Sequence, residues 1–290
     1  MFDSFEGSVA VITGAGSGFG REFARICAER GMKLALADIQ ADSLAQTADT
    51  LRQGGTVAIT ETLDVSRSDA VEAFADRVYH EFGATHLLFN NAGVAAGGYV
   101  WENTIADWEW VLGVNLWGVI NGIHAFVPRM IAGGQAGHIV NTASVAGLLS
   151  PPTMGVYNVS KHGVVTLTES LYHDLRVSGS RLGASVLCPA FVPTGINRSE
   201  RNRPQTLQNA GEPTASMQAA QRATDKAVSS GKISAADVAT MTFDAIEQDR
   251  FYIVTHPRIM DSVRLRCEDV AALRNPTDPY AYKPEVGHGG

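Results

Sequence analysis

The chain has 290 residues, 45% of them hydrophobic, which is enough for one α/β domain with a core buried on both faces of a sheet. A net charge of −7 and the lack of any long basic run argue against nucleic acid as a partner. No apolar run approaches the roughly 20 residues of a membrane span, and the start, Met1-Phe2-Asp3-Ser4-Phe5-Glu6, lacks a signal-peptide pattern. Cys27, Cys188 and Cys267 have no metal-like spacing and are expected to be small buried hydrophobes in a reducing cytoplasm, with no metal site.

Short apolar runs over 9–12, 34–37, 86–89, 138–140, 184–187 and 251–254 read as strands buried on both faces. Amphipathic stretches of helical length lie between them, among them 21–30, 41–53 and 69–82, with Gly31 and Gly83 where C-caps belong. The alternation predicts a doubly wound parallel sheet in a three-layer α/β/α domain over 1–255. Residues 195–231 break the rhythm: they are polar and hold no strand pattern. They follow the C-terminal end of a strand, where open α/β sheets bind ligands, and are expected to form a substrate lid. Residues 256–290, with Pro257, Pro276, Pro279, Pro284 and the final Gly289-Gly290, read as a tail outside the domain.

After the first strand the chain runs Thr13-Gly14-Ala15-Gly16-Ser17-Gly18-Phe19-Gly20 and enters a helix. Glycines there allow a sharp turn and let backbone approach a pyrophosphate at the helix N-terminus. The Gly-x-Gly-x-x-Gly spacing fails, because Gly14 and Gly16 would need a glycine at Phe19, and no Gly-Lys-Ser/Thr follows to make a P-loop. Thr13, Gly14, Gly18 and Gly20 fit Thr-Gly-x-x-x-Gly-x-Gly instead. Asp38 closes the second predicted strand eighteen residues after Gly20, near the ~20 expected of the acid that binds the adenosine ribose. Its carboxylate would repel a 2′-phosphate, and Ile39, not a cation, follows it, so the expected cofactor is NAD and not NADP. Asp38 could also cap the next helix, a role compatible with the first.

Further along stand Leu63-Asp64-Val65, Asn90-Asn91-Ala92-Gly93, Asn115, Ser144 and Tyr157-Asn158-Val159-Ser160-Lys161. In this order, behind the glycine turn, the motifs resemble the short-chain dehydrogenase/reductase family over about residues 7–255. The resemblance implies a Rossmann-like fold, hydride transfer and a catalytic set of Asn115, Ser144, Tyr157 and Lys161. It implies cofactor contacts from Gly14, Ser17, Gly18, Phe19, Gly20, Asp38 and Ile39, with Asp64 and Val65 at the adenine and Asn91, Ala92 and Gly93 beside the adenosine. Tyr157 and Lys161 join them at the nicotinamide ribose, with Pro189, Ala190, Val192 and Thr194 after the sixth strand. There the family's Pro-Gly-x-Val-x-Thr reads Pro189-Ala190-Phe191-Val192-Pro193-Thr194, and alanine does not easily adopt positive φ.

The residue types suit the implied chemistry. Hydride transfer between an alcohol and a nicotinamide leaves a proton to be moved at the oxygen. A tyrosine with pKa about 10 ionises little near neutrality. Lys161 shares a helix face with Tyr157, and its cation at about 4 Å and an effective dielectric near 20 would contribute ~4 kcal/mol, up to about three pKa units before desolvation losses. Ser144 is expected to hydrogen-bond the substrate oxygen. Asn115 matches the family residue that holds a water in a proton relay through Lys161.

Val145, Leu149, Met154, Phe191 and Trp101, beside Ser144 and Tyr157, predict a pocket for a fairly bulky, weakly polar secondary alcohol or ketone. An equal reading makes several of them core or subunit-contact residues. The resemblance implies a homo-oligomer, tetramer or dimer, paired through helices near 116–130 and 158–177. Two alternatives stand beside the NAD-linked dehydrogenase. One is an NADPH-linked 3-oxoacyl reductase, against which Asp38 argues. The other is a dinucleotide-binding regulator without turnover, against which the intact set of Asn115, Ser144, Tyr157 and Lys161 argues.

Overall fold

The computed structural model describes residues 4–281. Among them, β1 (Val9–Thr13), β2 (Lys33–Asp38), β3 (Ala58–Thr62), β4 (Leu87–Asn90), β5 (Gly137–Thr142), β6 (Leu182–Cys188) and β7 (Tyr252–Val254) form one sheet in the order β3-β2-β1-β4-β5-β6-β7. Every neighbouring pair is parallel. The helices are α1 (Gly18–Glu29), α2 (Ala41–Gln53), α3 (Ser68–Phe82), α4 (Ile105–Leu112), α5 (Gly118–Gly133), α6 (Gly155–Val177), α7 (Ala215–Ser229), α8 (Ala235–Glu247) and α9 (Met260–Ala271).

Successive strand residues point to opposite faces, so a sheet covered on both sides needs apolar residues without interruption. Ala10, Ile12, Leu34, Leu36, Leu87 and Phe89 pack on one face against Phe23 of α1 and Phe243 of α8. Val9, Val11, Ala35, Ala37 and Leu88 pack on the other against Phe74 of α3 and Phe126 of α5. β3 lay outside the apolar runs because it is a half-buried edge strand that reads Ala-Ile-Thr-Glu-Thr. The glycine after α3 behaves as expected: Gly83 closes it in the left-handed region at φ 75°.

α4 and α5 join through a π-turn, Gly113–Trp117, into one long helix. Within Ile105–Gly133 an 18-residue stretch of that helix reaches a mean hydropathy of 1.4, long and apolar enough by composition to cross a membrane, contrary to the reading of the sequence. Its burial against the sheet explains the apolar content: Phe126 and Met130 sit in the core with α3.

The chain builds outward from β1 in both directions, β2 and β3 on one side and β4 to β7 on the other. A crevice opens where the order reverses, beyond the C-terminal ends of β1 and β4. The polar stretch 195–231 is folded: it holds 3₁₀ turns at Ile196–Asn202 and Gln205–Leu207 and then α7. The tail holds α9. Its last part, with Pro284, Gly289 and Gly290, lies outside the described residues, as do Met1, Phe2 and Asp3. Cys27 and Cys188 are buried, but Cys267 is exposed on α9, a helix whose buried residues are the polar Ser262 and Asp269.

Candidate active site

The turn after β1 is built for backbone approach. Gly14 and Gly18 have φ of +67° and +52°, and a Cβ on Gly20 would lie 2.1 Å from the Gly14 carbonyl oxygen. α1 therefore starts hard against β1. Its N-cap, Ser17, makes no side-chain capping bond, and its first turn holds no acidic residue. Free N–H groups and the helix dipole leave that end suited to a phosphate. Thr13 ties β1 to the next strand: its hydroxyl accepts from Asn91 N (2.9 Å) and Ala92 N (3.1 Å). Asn91 in turn donates to Thr13 O and accepts from the Thr142 hydroxyl, bracing β1, β4 and β5.

Asp38, at the end of β2, accepts from Gly16 N and Gln40 N, each at 2.9 Å. It faces the same cavity as Ser17, Gly18, Phe19, Ile39, Asp64 and Val65. The N-cap of α2 is Gln40 without a side-chain capping bond, so Asp38 is not the helix cap and instead fastens the glycine turn. These groups fit the adenosine and diphosphate of a dinucleotide: an open helix N-terminus, close backbone and a carboxylate fastened to the same turn. Gly20 lies just behind this surface, and Ala92, Gly93, Pro189, Ala190, Val192 and Thr194 line the cavity further along. The non-glycine residues with positive φ are Thr153, Asp249 and Leu273 among the described residues, so Ala190 needs no glycine-like backbone.

The cavity continues to Ser144, Tyr157 and Lys161. β5 ends at Thr142, and Ser144 caps a short 3₁₀ turn, accepting from Ala146 N and donating to Pro189 O, both at 3.2 Å. Tyr157 and Lys161 lie one turn apart on α6, with Lys161 Nζ 5.7 Å from the phenol ring centroid. Burial pushes the Tyr157 phenol up to about 12, while the Ser144 hydrogen bond pulls the other way. Burial pushes Lys161 down to about 8, and its ammonium donates to Thr142 O at 2.8 Å. The expected lowering of the phenol by Lys161 is therefore corrected: burial raises it, and Tyr157 rests protonated.

Asn115 does not reach the cavity surface. It sits fully buried in the π-turn, its amide bonded to Val94 N (2.8 Å), Val94 O (2.9 Å) and the Ser160 hydroxyl (3.0 Å). Its Oδ1 and Lys161 Nζ both lie behind Gly93, 3.4 and 3.6 Å from where a Cβ there would stand. π-bulges of this kind redirect backbone groups at functional sites.

Val145, Leu149, Met154 and Phe191 line the cavity beyond Ser144 and Tyr157. Trp101 does not. It is 79% exposed and stacks on Tyr99 with ring centroids 4.9 Å apart, because the chain from Gly98 turns away from the cavity there.

Residues 8–205 match the family model described as short chain dehydrogenase. The chain belongs to the short-chain dehydrogenase family. A short-chain dehydrogenase/reductase from Burkholderia phymatum, solved in complex with NAD, is 59% identical and superposes with a TM-score of 0.94 over 96% of this chain and 99% of its own. Two curated relatives match over most of the length. A "CLA biosynthesis dehydrogenase/reductase" of Lactiplantibacillus plantarum is 34% identical over 87% of this chain and 89% of its own. A "1-deoxy-11-beta-hydroxypentalenate dehydrogenase" of Streptomyces exfoliatus is 31% identical over 90% of this chain and 87% of its own.

In this dehydrogenase several cavity residues escape sequence reasoning. Ala220, Thr224 and Val228 enter from α7, and Ile259, Pro279 and Tyr280 from beyond β7. The first group lies in the stretch 195–231, whose polar character gave no sign of it. Nothing local marks the second group, since the sheet order alone brings the segment after β7 over the end of β6.

Proposed function

We propose that the protein interconverts a secondary alcohol and a ketone with NAD as cofactor, on a fairly bulky and weakly polar substrate. The observation that carries this reading is one cavity with Asp38 at one end and Ser144, Tyr157 and Lys161 at the other. Bound NAD supplies the hydride acceptor, or NADH the donor. Ser144 holds the substrate oxygen by a hydrogen bond, which gains strength as charge moves onto that oxygen. Tyr157 gives its proton to the oxygen in reduction and takes it back in oxidation. Its protonated resting state suits the first role directly. Lys161 binds the nicotinamide ribose and leads the proton toward the π-turn, where Asn115 fixes the backbone that holds a relay water.

The substrate class rests on the walls. Val145, Leu149, Met154, Phe191, Val228 and Ile259 offer apolar surface around the two hydroxyls. The Streptomyces relative, named for dehydrogenating a hydroxylated compound, agrees with an alcohol as the reacting group. Asp38 disfavours an NADPH-linked reductase, and Ser144, Tyr157 and Lys161 gathered in one cavity disfavour a regulator without turnover. We further propose a homo-oligomer paired through α5 and α6, whose neighbourhood exposes Trp117 (55%) and Val159 (50%). The test is a screen of aryl, alicyclic and terpenoid secondary alcohols by NADH absorbance, with Tyr157→Phe as control. Tyr157→Phe should lose nearly all turnover and keep NADH affinity within a few-fold, whereas Lys161→Ala should damage both. A Tyr157→Phe enzyme with wild-type kcat would overturn the acid–base assignment.

A further inference from the structure

The segment after β6 does more than cover the substrate. Thr194 packs on the glycine turn: a Cβ on Gly18 would stand 3.3 Å from the Thr194 Cβ. Eight residues on, Asn202 accepts from the Gln40 side chain at 2.7 Å, two residues past Asp38. Between these points the chain crosses from the start of α1 to the ribose end of the cavity. It thus runs over the place where the open N-terminus of α1 awaits a phosphate. Ser199 pins the middle of the crossing by accepting from Ala95 N at 3.2 Å.

Arg201 stands in this crossing and lines the cavity. Its Nη1 donates to Gly195 O (3.2 Å) and Arg198 O (2.9 Å), which fixes the guanidinium plane. Its Nη2 lies 3.1 Å from where a Cβ on Gly195 would be, next to Thr194. No carboxylate pairs with it among the described residues, although Arg203, two positions on, is fully paired to Asp107. Arg21, the other arginine beside the turn, is committed to Gly16 O and the Thr47 hydroxyl and does not line the cavity.

We infer that Arg201 binds the diphosphate of the dinucleotide, closing over it from the side opposite the α1 N-terminus. A guanidinium fork held in plane matches phosphate oxygens with paired hydrogen bonds. The helix supplies partial charge and backbone donors, and Arg201 supplies the full positive charge that the glycine turn lacks. The inference rests on the NAD reading above and not on the choice of substrate.

The test reads binding without turnover, by NADH fluorescence titration of the full-length protein, with ADP-ribose and adenosine as competitors. Arg201→Ala should weaken NADH and ADP-ribose about tenfold or more and leave adenosine unchanged, because adenosine carries no phosphate. Arg201→Lys should recover part of the loss, and rising salt should narrow the gap between wild type and Arg201→Ala. Unchanged NADH and ADP-ribose affinity in Arg201→Ala would overturn the inference. So would a loss confined to NADPH, which would make Arg201 a reader of the 2′-phosphate. An equal loss for adenosine would also overturn it, by showing that the crossing segment had misfolded. A wild type that fails to bind NADH at all would overturn the cofactor reading as well.

Discussion

Arg203, between the two 3₁₀ turns of the segment over the cavity, and Asp107, in the first turn of α4, form a 2.8 Å ion pair whose side chains are 2% and 3% exposed. The pair is fully networked. Asn209 donates to Asp107 and accepts from Arg203 Nη2, Arg203 Nε donates to Leu207 O, and its guanidinium lies 5.1 Å from the Trp110 ring centroid. Thr104 N donates to Asp107 at 2.8 Å as half of a capping box. The start of the proposed lid is thus bolted to the body of the protein. A second fastening joins Glu102 to Thr214 and Ser216 at the N-terminus of α7, both at 2.5 Å.

Removing one partner of the buried pair should be costly, because the other charge stays desolvated. Arg203→Ala or Asp107→Ala should each cost about 3–5 kcal/mol and lower Tm by roughly 10 °C. Replacing both by leucine should recover much of that, since apolar packing needs no charge compensation. Burial raises the Asp107 carboxyl, but hydrogen bonds from Asn209 and Thr104 and the Arg203 charge prevail and hold it below the usual range. Its contribution is therefore present above about pH 4 and lost as the pH falls below that. Urea midpoints at pH 7 and pH 3 check both statements. Singles that match the wild type at pH 7 would contradict them.

The fastenings also change where mobility is expected. Between them lies the exposed loop around Gly211 and Pro213, which neither network reaches. Limited proteolysis should cut there before it cuts 203–209, and NADH with a substrate analogue should protect 196–202. Ligand-independent cleavage throughout 195–231 would argue against a lid.

Tyr157 rests protonated in a buried site, which sets opposite pH dependences for the two directions. Oxidation needs a phenolate and should accelerate as the pH rises from 7 toward 10. Reduction needs the phenol and should hold level through neutrality. Burial keeps Lys161 charged only below about 8, so substrate-independent loss of NADH affinity should begin above that pH if the ammonium anchors the ribose. Initial rates in both directions across pH 6–10, with NADH titrations alongside, decide it. An oxidation optimum below pH 7 would remove Tyr157 as the base.

Cofactor choice turns on Asp38, whose carboxylate is already oriented by Gly16 N and Gln40 N. NAD should be preferred over NADP by at least about tenfold in kcat/KM, a difference of ~1.4 kcal/mol. Asp38→Ala should weaken NAD and narrow that preference. It should also loosen the glycine turn, visible as a lower Tm, since Gly16 N loses its acceptor. An arginine introduced at Ile39 in the Asp38→Ala background should favour NADP by pairing with its phosphate. Equal use of both cofactors by the wild type would revive the NADPH-linked reading.

Tyr280, in the segment after α9, lines the same cavity as Ser144 and Tyr157, and its proposed place is the substrate end. Asp269 holds this tail in place, accepting from Arg274 Nε at 3.0 Å and Thr277 N at 2.9 Å. Tyr280→Ala should shift preference toward larger alcohols, chiefly through KM, and leave NADH affinity unchanged. Asp269→Ala should mimic it by releasing the tail. Steady-state kinetics on a size series of alcohols measures the shift, and an unaltered ranking would remove the tail from the pocket.

The local sequence was sufficient where a residue's role depends on its neighbours in the chain. The buried strands declared themselves by uninterrupted apolar runs, and α2 lies at 41–53 as its amphipathic pattern requires. The Gly14, Gly18 and Gly20 spacing and the step from Tyr157 to Lys161 are short-range geometry, and the structure brings Gly14, Gly18, Tyr157 and Lys161 to one cavity with Asp38 and Ser144. Contacts between distant segments left no such trace. β3 was masked by an edge strand's polarity, and the apolar character of α4–α5 carried no mark of the sheet that buries it. Trp101 points to solvent, while Tyr280, over 120 residues from Tyr157, lines the same cavity. The electrostatics changed for the same reason. Counting Lys161 beside Tyr157 predicts a lowered phenol, but only the folded protein sets how much water both groups lose, and that burial raises the phenol and lowers the ammonium.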